Sequence, residues 1–529
     1  MSEHPIHVGT ALDDDLTLEA DVAVIGTGAG GGISAEILAS AGLRVVMLEE
    51  GELHRPGAAP MRERWAFSRL YREGGANPTR DGAISVVQGR TVGGSTSVNW
   101  TSSFRTPERT LRHWQTHHGI DGLSPQELDP WFSLVEEALN ISSWTDHNRN
   151  NELLAQGAER LGWTHGPIKR NVRRCPGHGY CGLSCPIGAK QSMDVTSIPA
   201  ALGEGAVLVT RVRAERLAVL GDRVAGVQAL ALDERGVRPT GRRVFVHAPW
   251  IVVAAGAIQS PALLLRSQVP DPHGRIGART FLQLHNYSLS HVREPIDPFY
   301  GAPQSIFSEQ FTWRDGVEGR AGFNMEVVGA QPTVSMMFWK RMGGEMASFA
   351  RALPRLHVLV SQIRDGFSEA SQGGVVRLRR DGSGVLDYPL DDYLRDGIRS
   401  SYLAMAECQL AAGVQSVHPA CSDARAYRGW AEARSAIGSL RLRSSSVYVN
   451  STHPLGGCAM GPDPATAVVR PDGRHHQREN LYVIDGSVFP TSLGVNPCET
   501  IYALAARNAT QLVERITARA SERGEAVAA

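Results

Sequence analysis

The stretch that most constrains the fold is DVAVIGTGAGGGISAEILASAGLRVVMLEEG, at residues 21–51. A short β-branched run predicts a buried strand, a Gly-x-Gly-x-x-Gly turn opens an Ala/Ile/Leu-rich helix, and a second buried strand ends on Glu49. Gly26 permits the turn, Gly28 lets the backbone approach a pyrophosphate, and Gly31 lets helix and strand pack closely. A carboxylate at Glu49 can accept hydrogen bonds from ribose hydroxyls. The pattern predicts an α/β fold with a dinucleotide site and does not decide between NAD and FAD.

Composition excludes several classes of partner. The 54 basic and 54 acidic residues cancel, so nothing indicates a nucleic-acid binder. No apolar run approaches the ~20 residues of a membrane span, and the acidic, polar first twenty residues do not resemble a secretory signal. Seven cysteines in 529 residues do not suggest a disulfide scaffold. We therefore expect a soluble cytoplasmic protein, with export on a signal-bearing partner as the alternative.

Two later glycine-rich segments could also belong to the nucleotide-binding region. The paired Gly93 and Gly94 can bring backbone N–H groups against a ligand, with Ser95 and Asn99 as polar neighbours, although a plain Gly/Ser turn explains this segment equally well. A predicted strand over 243–254 ends at Ala-Ala-Gly256 before a short helix over 262–266. This second segment indicates another part of the nucleotide-binding sheet.

The rest of the chain gives a coarser pattern. A capping box at Ser124-Pro-Gln-Glu127 predicts a helix that runs through about residue 139. Alternating residues over 206–227 predict a hairpin or meander that turns at Gly221-Asp222. Further alternating stretches predict the strands of an antiparallel sheet, at 322–328, 333–338 and 375–378. Residues 391–413 predict an intervening helix. The segment SMMFWKRMGGEMASFARAL could line an apolar cavity or belong to ordinary core or a surface helix.

Five segments, in this order, resemble the glucose–methanol–choline (GMC) family of FAD-dependent oxidoreductases. They are the first glycine motif, GRTVGGSTSVNW, VVAAGAIQSPALLLRS, HPLGGCAMG and NLYVIDGSVFPTSLGVNPCETIYALAARNA. The last two are similar to the cholesterol oxidase and FAD glucose dehydrogenase branches, whereas residues 301–449 resemble the family poorly. The resemblance implies a Rossmann-type FAD-binding domain with a parallel sheet, and an α+β substrate domain with an antiparallel sheet. The implied segments are FAD-binding parts at 15–110, 186–284 and 450–529, a helical cap and cysteine loop at 111–185, and a substrate domain at 285–449.

The resemblance also implies a reaction, the oxidation of an alcohol by hydride transfer to flavin N5. An alcohol releases hydride only as its hydroxyl proton is withdrawn, which a neutral imidazole can do. The family's base corresponds to His453, for which a purely structural histidine is the alternative. Its partner position falls on Asn496, which can bind the substrate oxygen and the flavin edge but cannot act as a base. Asn496-Pro497 also has the form of a helix N-cap and first-turn proline, and both roles can hold.

The motifs and the resemblance together assign contacts to the cofactor. The assigned residues are Gly26, Gly28, Gly31, Glu49, Gly93, Gly94, Ser95, Asn99, Ala214, Gly256, Asp485, Gly486, Asn496 and Pro497. Some members attach flavin covalently through a histidine near the Gly-Gly-Ser motif. Residues 97–99 read Ser-Val-Asn here, so we expect non-covalent FAD.

Cys175, Cys181 and Cys185 form a cluster that is not general to the family. It resembles the catalytic subunit of bacterial FAD glucose dehydrogenase, where three cysteines hold an iron–sulfur cluster. Pro176 stands where that pattern has a second cysteine, and long-chain alcohol oxidases have similar loops. Loop thiols or a disulfide are the alternative to a metal site.

Three enzymatic functions remain open at this point, besides a non-catalytic FAD-binding module. The first is oxidation of an alcohol with an apolar body, such as a long-chain, terpenoid or steroidal alcohol. The second is a sugar or polyol dehydrogenase that passes electrons through the cysteine loop, and the third is a flavin lyase or photoenzyme on the same scaffold. Oxygen or an unknown electron acceptor would reoxidise the flavin.

Overall fold

The computed structural model describes residues 6–339 and 342–522. Its α-helices are α1 Ala29–Ser40, α2 Glu63–Leu70, α3 Glu108–His118, α4 Pro125–Ala138, α5 Arg149–Leu161, α6 Ser197–Gly203, α7 Gly256–Arg266, α8 Pro332–Trp339, α9 Met346–Arg351, α10 Asp392–Ala411, α11 Trp430–Gly438 and α12 Cys498–Glu522. Within the described residues, no helix combines the length and the apolar character needed to cross a bilayer.

The strands in chain order are β1 Ile6–Val8, β2 Leu16–Glu19, β3 Val22–Ile25, β4 Val45–Leu48, β5 Asn77–Pro78, β6 Ile84–Val86, β7 Ser102–Ser103, β8 Ile141–Ser143, β9 Gly166–Pro167, β10 Lys169–Asn171, β11 Val207–Thr210, β12 Val212–Leu220, β13 Arg223–Leu232, β14 Pro239–His247, β15 Trp250–Val253, β16 Thr280–Phe281, β17 His285–His291, β18 Ile306–Phe311, β19 Phe323–Val327, β20 Leu356–Ile363, β21 Val375–Leu378, β22 Gly384–Asp387, β23 Ser416–Pro419, β24 Val449–Ser451, β25 Leu455–Gly456 and β26 Leu481–Val483.

A parallel six-stranded sheet forms the centre of the first half of the fold, in the order β1-β11-β4-β3-β15-β26. The four-residue runs of β3, β4 and β15 are buried along their whole length, as expected for strands covered on both faces. Helix α1 packs against α6 and α12, so the C-terminal helix covers the first motif. The mixed α/β fold and its parallel sheet confirm the prediction.

The second sheet has nine strands and is antiparallel except where β6 pairs with β24. Helices α5 and α10 cover one of its faces, and the other face turns toward a large cavity. Two of its strands, β5 and β6, come from the N-terminal part of the chain, before residue 87. Helix α10 agrees with the helix predicted at 391–413, and α4 has the predicted capping box.

Four local predictions were wrong. Residues 243–254 form two strands in different sheets, because Pro249 cannot donate a ladder hydrogen bond and separates β14 from β15. Helix α7 begins six residues earlier than predicted, at Gly256, and contains Pro261 in its interior. Residues 333–338 belong to helix α8 instead of a strand. Strand β21 pairs only with β22 in a separate hairpin outside the nine-stranded sheet.

Candidate active site

A cavity of 1330 Å³ lies between the carboxyl ends of the parallel sheet and the open face of the nine-stranded sheet. Such a volume exceeds that of most small-ligand pockets. Most residues that the sequence assigned to the site line it, namely Gly26, Gly28, Glu49, Gly94, Ser95, Asn99, Ala214, Gly256, Asp485, Gly486, His453, Asn496 and Pro497. The fold therefore brings together motifs that are up to 470 residues apart in the chain, from Gly26 to Asn496.

The first glycine motif forms one end of this cavity. Gly26 has a φ of +96°, a left-handed conformation that a side chain would strain. A Cβ on Gly31 would lie 1.9 Å from the carbonyl oxygen of Gly26, so Gly31 supports close packing from outside the cavity wall. Helix α1 starts after Gly28 without a side-chain cap, which leaves N–H groups free for an anion. These features fit the pyrophosphate of a dinucleotide.

Glu49 lies at the end of β4 and is buried. Its carboxylate accepts hydrogen bonds from the Thr27 backbone (3.1 Å) and hydroxyl (2.7 Å), and from the Gly51 backbone N–H (2.8 Å). Burial nevertheless raises the pKa of Glu49. Because Oε1 accepts only one of these hydrogen bonds, it retains a lone pair for a ribose hydroxyl.

Asp485 joins the start of helix α7 to the turn at residues 485–487. Its carboxylate accepts hydrogen bonds from the backbone N–H groups of Gly256 (2.7 Å) and Ser487 (2.8 Å) and from the Ser260 hydroxyl (2.5 Å). It therefore caps the start of α7 and fixes the turn that places Gly486 on the cavity wall. This capping by a distant residue explains why α7 begins at Gly256 and not at the predicted position.

His453 follows β24 at the other end of the cavity. Its backbone N–H donates to the Ser451 hydroxyl (3.1 Å), and its ring nitrogen Nδ1 lies 3.3 Å from Gln283 Nε2 and 3.4 Å from His285 Nε2. Burial and the neighbouring His285 hold the pKa of His453 well below the usual range of a histidine. The ring is therefore uncharged at neutral pH and can accept a proton.

Asn496 lies just before α12, and its amide does not cap that helix. The Asn496 Nδ2 group donates to Glu326 Oε2 at 3.4 Å, while Asn496 Oδ1 and Glu326 Oε1 are buried and make no hydrogen bond within the described residues. Desolvation by burial raises the pKa of Glu326 to about 8. A neutral carboxylic acid thus lies beside one of the two expected catalytic residues.

The sequence and the structure match known proteins over almost their whole length. Family models described as GMC oxidoreductase match residues 67–286 and 371–505. An uncharacterized GMC-type oxidoreductase of Sinorhizobium fredii is 31% identical, over 94% of this chain and 95% of its own length. The chain belongs to the GMC oxidoreductase family. A long-chain-alcohol oxidase of Arabidopsis thaliana is 27% identical, over 98% of this chain and 70% of its own length.

Solved structures agree at the level of the fold. Pyridoxine 4-oxidase from Mesorbium loti has a TM-score of 0.68 and 20% identity, over 93% of this chain and 98% of that structure. Formate oxidase from Aspergillus oryzae, described with its FAD, has a TM-score of 0.66 and 15% identity, over 95% of this chain and 99% of that structure. These likenesses confirm the Rossmann-type fold, and the family makes this chain an FAD-dependent oxidoreductase. The free α1 terminus and the Glu49 lone pair fit the ADP half of that cofactor.

The sequence analysis did not identify three polar residues that lie next to His453 and Asn496. Gln283, His285 and Glu326 lie outside the recognisable motifs, on or next to strands of the nine-stranded sheet. The register brings His285 and Glu326 to the same face, because His285 pairs with Gln362 on β20 and Glu326 pairs with Val360, two residues away. Gln283 precedes β17 and joins them by donating a hydrogen bond to Gln362 Oε1 at 3.1 Å. Polar residues in a strand pattern normally indicate a solvent-facing side, so no local signal identifies them as buried site residues.

The cysteine loop lies outside the cavity wall. Cys181 is buried, its thiol accepts a hydrogen bond from Arg170 Nη2 (3.5 Å), and burial raises its pKa. All seven cysteines, which fall within the described residues, are free. Within the described residues, one group of three candidate metal ligands has its donor atoms within 4.8 Å of one another, and it consists of the buried His113 and the exposed His117 and Glu318. The expected iron–sulfur cluster thus gains no support from the structure or from the relatives.

Proposed function

We propose that this enzyme oxidises an alcohol, with His453 withdrawing the hydroxyl proton. The supporting observation is an uncharged imidazole on the wall of the cofactor cavity, whose Nδ1 faces His285 at 3.4 Å and whose Nε2 is left for the substrate. When bound, FAD supplies the hydride acceptor. The residues that would hold it are the α1 terminus and Glu49 at the ADP end, and Asp485 to Pro497 toward the flavin.

In this proposal Asn496 binds the substrate oxygen through its amide. A neutral Glu326 has an O–H that can donate, and Asn496 Oδ1 is the adjacent acceptor that makes no other hydrogen bond within the described residues. Rotating the amide by 180° pairs Oδ1 with this O–H and turns the NH₂ group away from Glu326. Asn496 can then donate to the alkoxide that develops as His453 takes the proton.

The cavity wall favours a substrate with an apolar body. Phe67, Tyr71 and Val98 pack in one cluster with Val334 of helix α8, and all four also line the cavity. The backbone N–H of Thr333 donates to the Glu63 carboxylate at 2.8 Å, which joins α8 to α2 beside this wall. Burying alkyl groups against such a surface contributes about 0.8 kcal/mol per methylene. A long-chain primary alcohol would gain most from it, and similarity to the long-chain-alcohol oxidases supports this choice.

We take oxygen as the electron acceptor because the long-chain-alcohol oxidase relative and both structural neighbours are oxidases. The competing sugar dehydrogenase would need an electron path through the cysteine loop, where Cys181 is instead a buried thiol beside Arg170. A lyase or photoenzyme would not need the uncharged His453.

Anaerobic stopped-flow spectroscopy tests the proposal. The FAD-loaded enzyme is mixed with 1-decanol, 1-butanol, glucose and pyridoxine, and bleaching of the flavin absorbance is recorded. We expect fastest reduction by 1-decanol, and a rate constant at least ~100-fold lower in His453→Ala. His273→Ala, at an exposed histidine, is the matched control. Reduction of His453→Ala at the wild-type rate would refute the assignment of the base.

A further inference from the structure

The hydrogen bonds behind His453 determine which of its ring nitrogens carries the proton. The amide of Gln283 is oriented by two backbone groups, one an N–H that can only donate a hydrogen bond and the other a carbonyl that can only accept one. The backbone N–H of Leu493 donates to Gln283 Oε1 at 3.4 Å, and Gln283 Nε2 donates to the Val495 carbonyl at 3.1 Å. Exchanging the amide oxygen and nitrogen would place donor against donor and acceptor against acceptor. The NH₂ group of Gln283 therefore faces His453.

That NH₂ group has no hydrogen left for His453. Besides the Val495 carbonyl, it donates to Gln362 Oε1 at 3.1 Å, and the Gln362 side chain is itself oriented by a hydrogen bond to Glu326. Two hydrogens thus meet two oxygen acceptors, both closer than His453 Nδ1 at 3.3 Å. Oxygen and nitrogen acceptors compete for the same hydrogens, and the nearer pair satisfies the group.

The remaining neighbour of His453 Nδ1 is His285. Their facing nitrogens are 3.4 Å apart, and the two rings meet nearly edge to face at an angle of 83°. His285 is buried and His453 partly buried, and both rings are uncharged, so a hydrogen bond between the two facing nitrogens holds a single proton. If His285 held it, the other nitrogen of His453 would carry an N–H and could not act as a base.

We infer that His285 is a positioning residue that accepts a hydrogen bond from His453 Nδ1 and so leaves a lone pair on Nε2, facing the substrate. This inference rests on the proposed function and extends it. The orienting partner of a catalytic histidine is commonly a carboxylate, and here an uncharged imidazole takes that place. As His453 Nε2 takes the alcohol proton, the Nδ1–H bond to His285 stabilises the resulting imidazolium.

The backbone at Gln283 supports a functional role for this arrangement. Gln283 is a buried residue with a φ of +44°, in the left-handed region that costs free energy for any residue with a Cβ. It is held there because its backbone N–H donates to Asp365 Oδ1 (3.2 Å) while the side chain meets Leu493 and Val495. Strained residues that their surroundings hold in place occur preferentially at active sites.

A direct test is the tautomer of His453 in holoenzyme labelled with ¹⁵N-histidine, assigned by loss of its signals in His453→Ala. We expect the proton on Nδ1 in the wild type and in His291→Leu, a control on the same strand as His285 and away from the cavity. We expect partial transfer of the proton to Nε2 in His285→Leu. A wild-type proton on Nε2 overturns the inference, and this measurement needs no substrate.

Kinetics give a second readout that a merely structural residue would not produce. With 1-decanol under anaerobic conditions, His285→Leu should reduce the limiting rate of flavin reduction ~100-fold, with the substrate dissociation constant changed less than about threefold. His285→Gln, whose Oε1 can accept from Nδ1–H, should recover to within about tenfold of the wild type. Equal rates in the leucine variant and the wild type overturn the inference. If His453→Ala is then still slow, the proposed base stands and only the role of His285 fails.

Discussion

Glu326 is a group whose ionisation should affect the stability of this protein between pH 5 and pH 8. Its carboxyl is fully buried, and desolvation raises its pKa from 4.5 to about 8. Folding therefore favours the protonated form, and the resulting stability is lost as the pH rises from the unfolded to the folded pKa. At 1.36 kcal/mol for each pH unit over which only the unfolded chain is ionised, and less near each pKa, the loss between pH 5 and pH 8 is about 3.5 kcal/mol.

Glu326→Gln removes this ionisation while keeping the shape and the hydrogen-bonding capacity of the side chain. An unfolding entropy of about 2.1 cal/mol/K per residue over 529 residues gives roughly 1 °C per kcal/mol. The melting temperature of Glu326→Gln should therefore rise by ~3 °C relative to the wild type as the pH goes from 5 to 8, and level off above pH 9. The assay is flavin fluorescence during a thermal ramp at one scan rate, with Glu369→Gln, at an exposed carboxylate, as the control.

The same variant has a kinetic consequence. Above pH 8 the wild-type carboxylate has no O–H for Asn496, so flavin reduction by 1-decanol should slow with an apparent pKa near 8. Glu326→Gln should lack this alkaline limb. A difference in melting temperature that stays constant from pH 5 to pH 8 would show that Glu326 is ionised in the folded protein, and would refute the reasoning.

Three further predictions follow from the site. Gly31→Val should abolish FAD retention on purification, because its Cβ would lie 1.9 Å from a backbone oxygen. The control Gly203→Ala, at a position with open space around it, should retain FAD fully. The absorbance at 450 nm per protein measures FAD retention in both variants. Val334→Asp should raise KM for 1-decanol at least ~10-fold and leave KM for 1-butanol within about threefold, because the longer chain buries more methylenes against the wall. Equal effects on both alcohols would contradict the role of this wall in binding the alkyl chain. Iron and acid-labile sulfide should be absent from anaerobically purified enzyme, and Cys181→Ala should keep its flavin reduction rate; stoichiometric iron that is lost in this variant would restore the cluster.

Sequence reasoning succeeded where the local pattern and the tertiary structure impose the same requirement. The motif from Gly26 to Glu49 is such a case, since strand, turn, helix and strand are contiguous and each residue type has a backbone reason to be there. The capping box at Ser124 is another, because its two hydrogen bonds lie within one helical turn. Neither prediction depended on residues distant in the chain.

Two of the wrong assignments share a physical cause, which is a partner far away in sequence. The start of α7 depends on Asp485, which lies 229 residues beyond Gly256. The stretch at 333–338 is apolar enough for either a strand or a helix, and the hydrogen bond from Thr333 to Glu63 belongs to its helical form. The secondary-structure propensity of a local segment carries no information about contacts with residues so far away in the sequence.

In the candidate active site, too, some residues could be predicted from local motifs and others could not. His453 and Asn496 could be found because the segments around them resemble a family, and that resemblance says which residues react but not how their protons are arranged. The arrangement depends on Gln283, His285 and Glu326, which a sequence pattern cannot distinguish from solvent-facing strand residues. Only the folded structure, through the register of β17, β19 and β20 and the hydrogen bond from Gln283 to Gln362, shows that they are buried beside His453 and Asn496. For this reason the tautomer of His453 and the protonation of Glu326, and not the identity of the base, are where experiment can contradict the structure most directly.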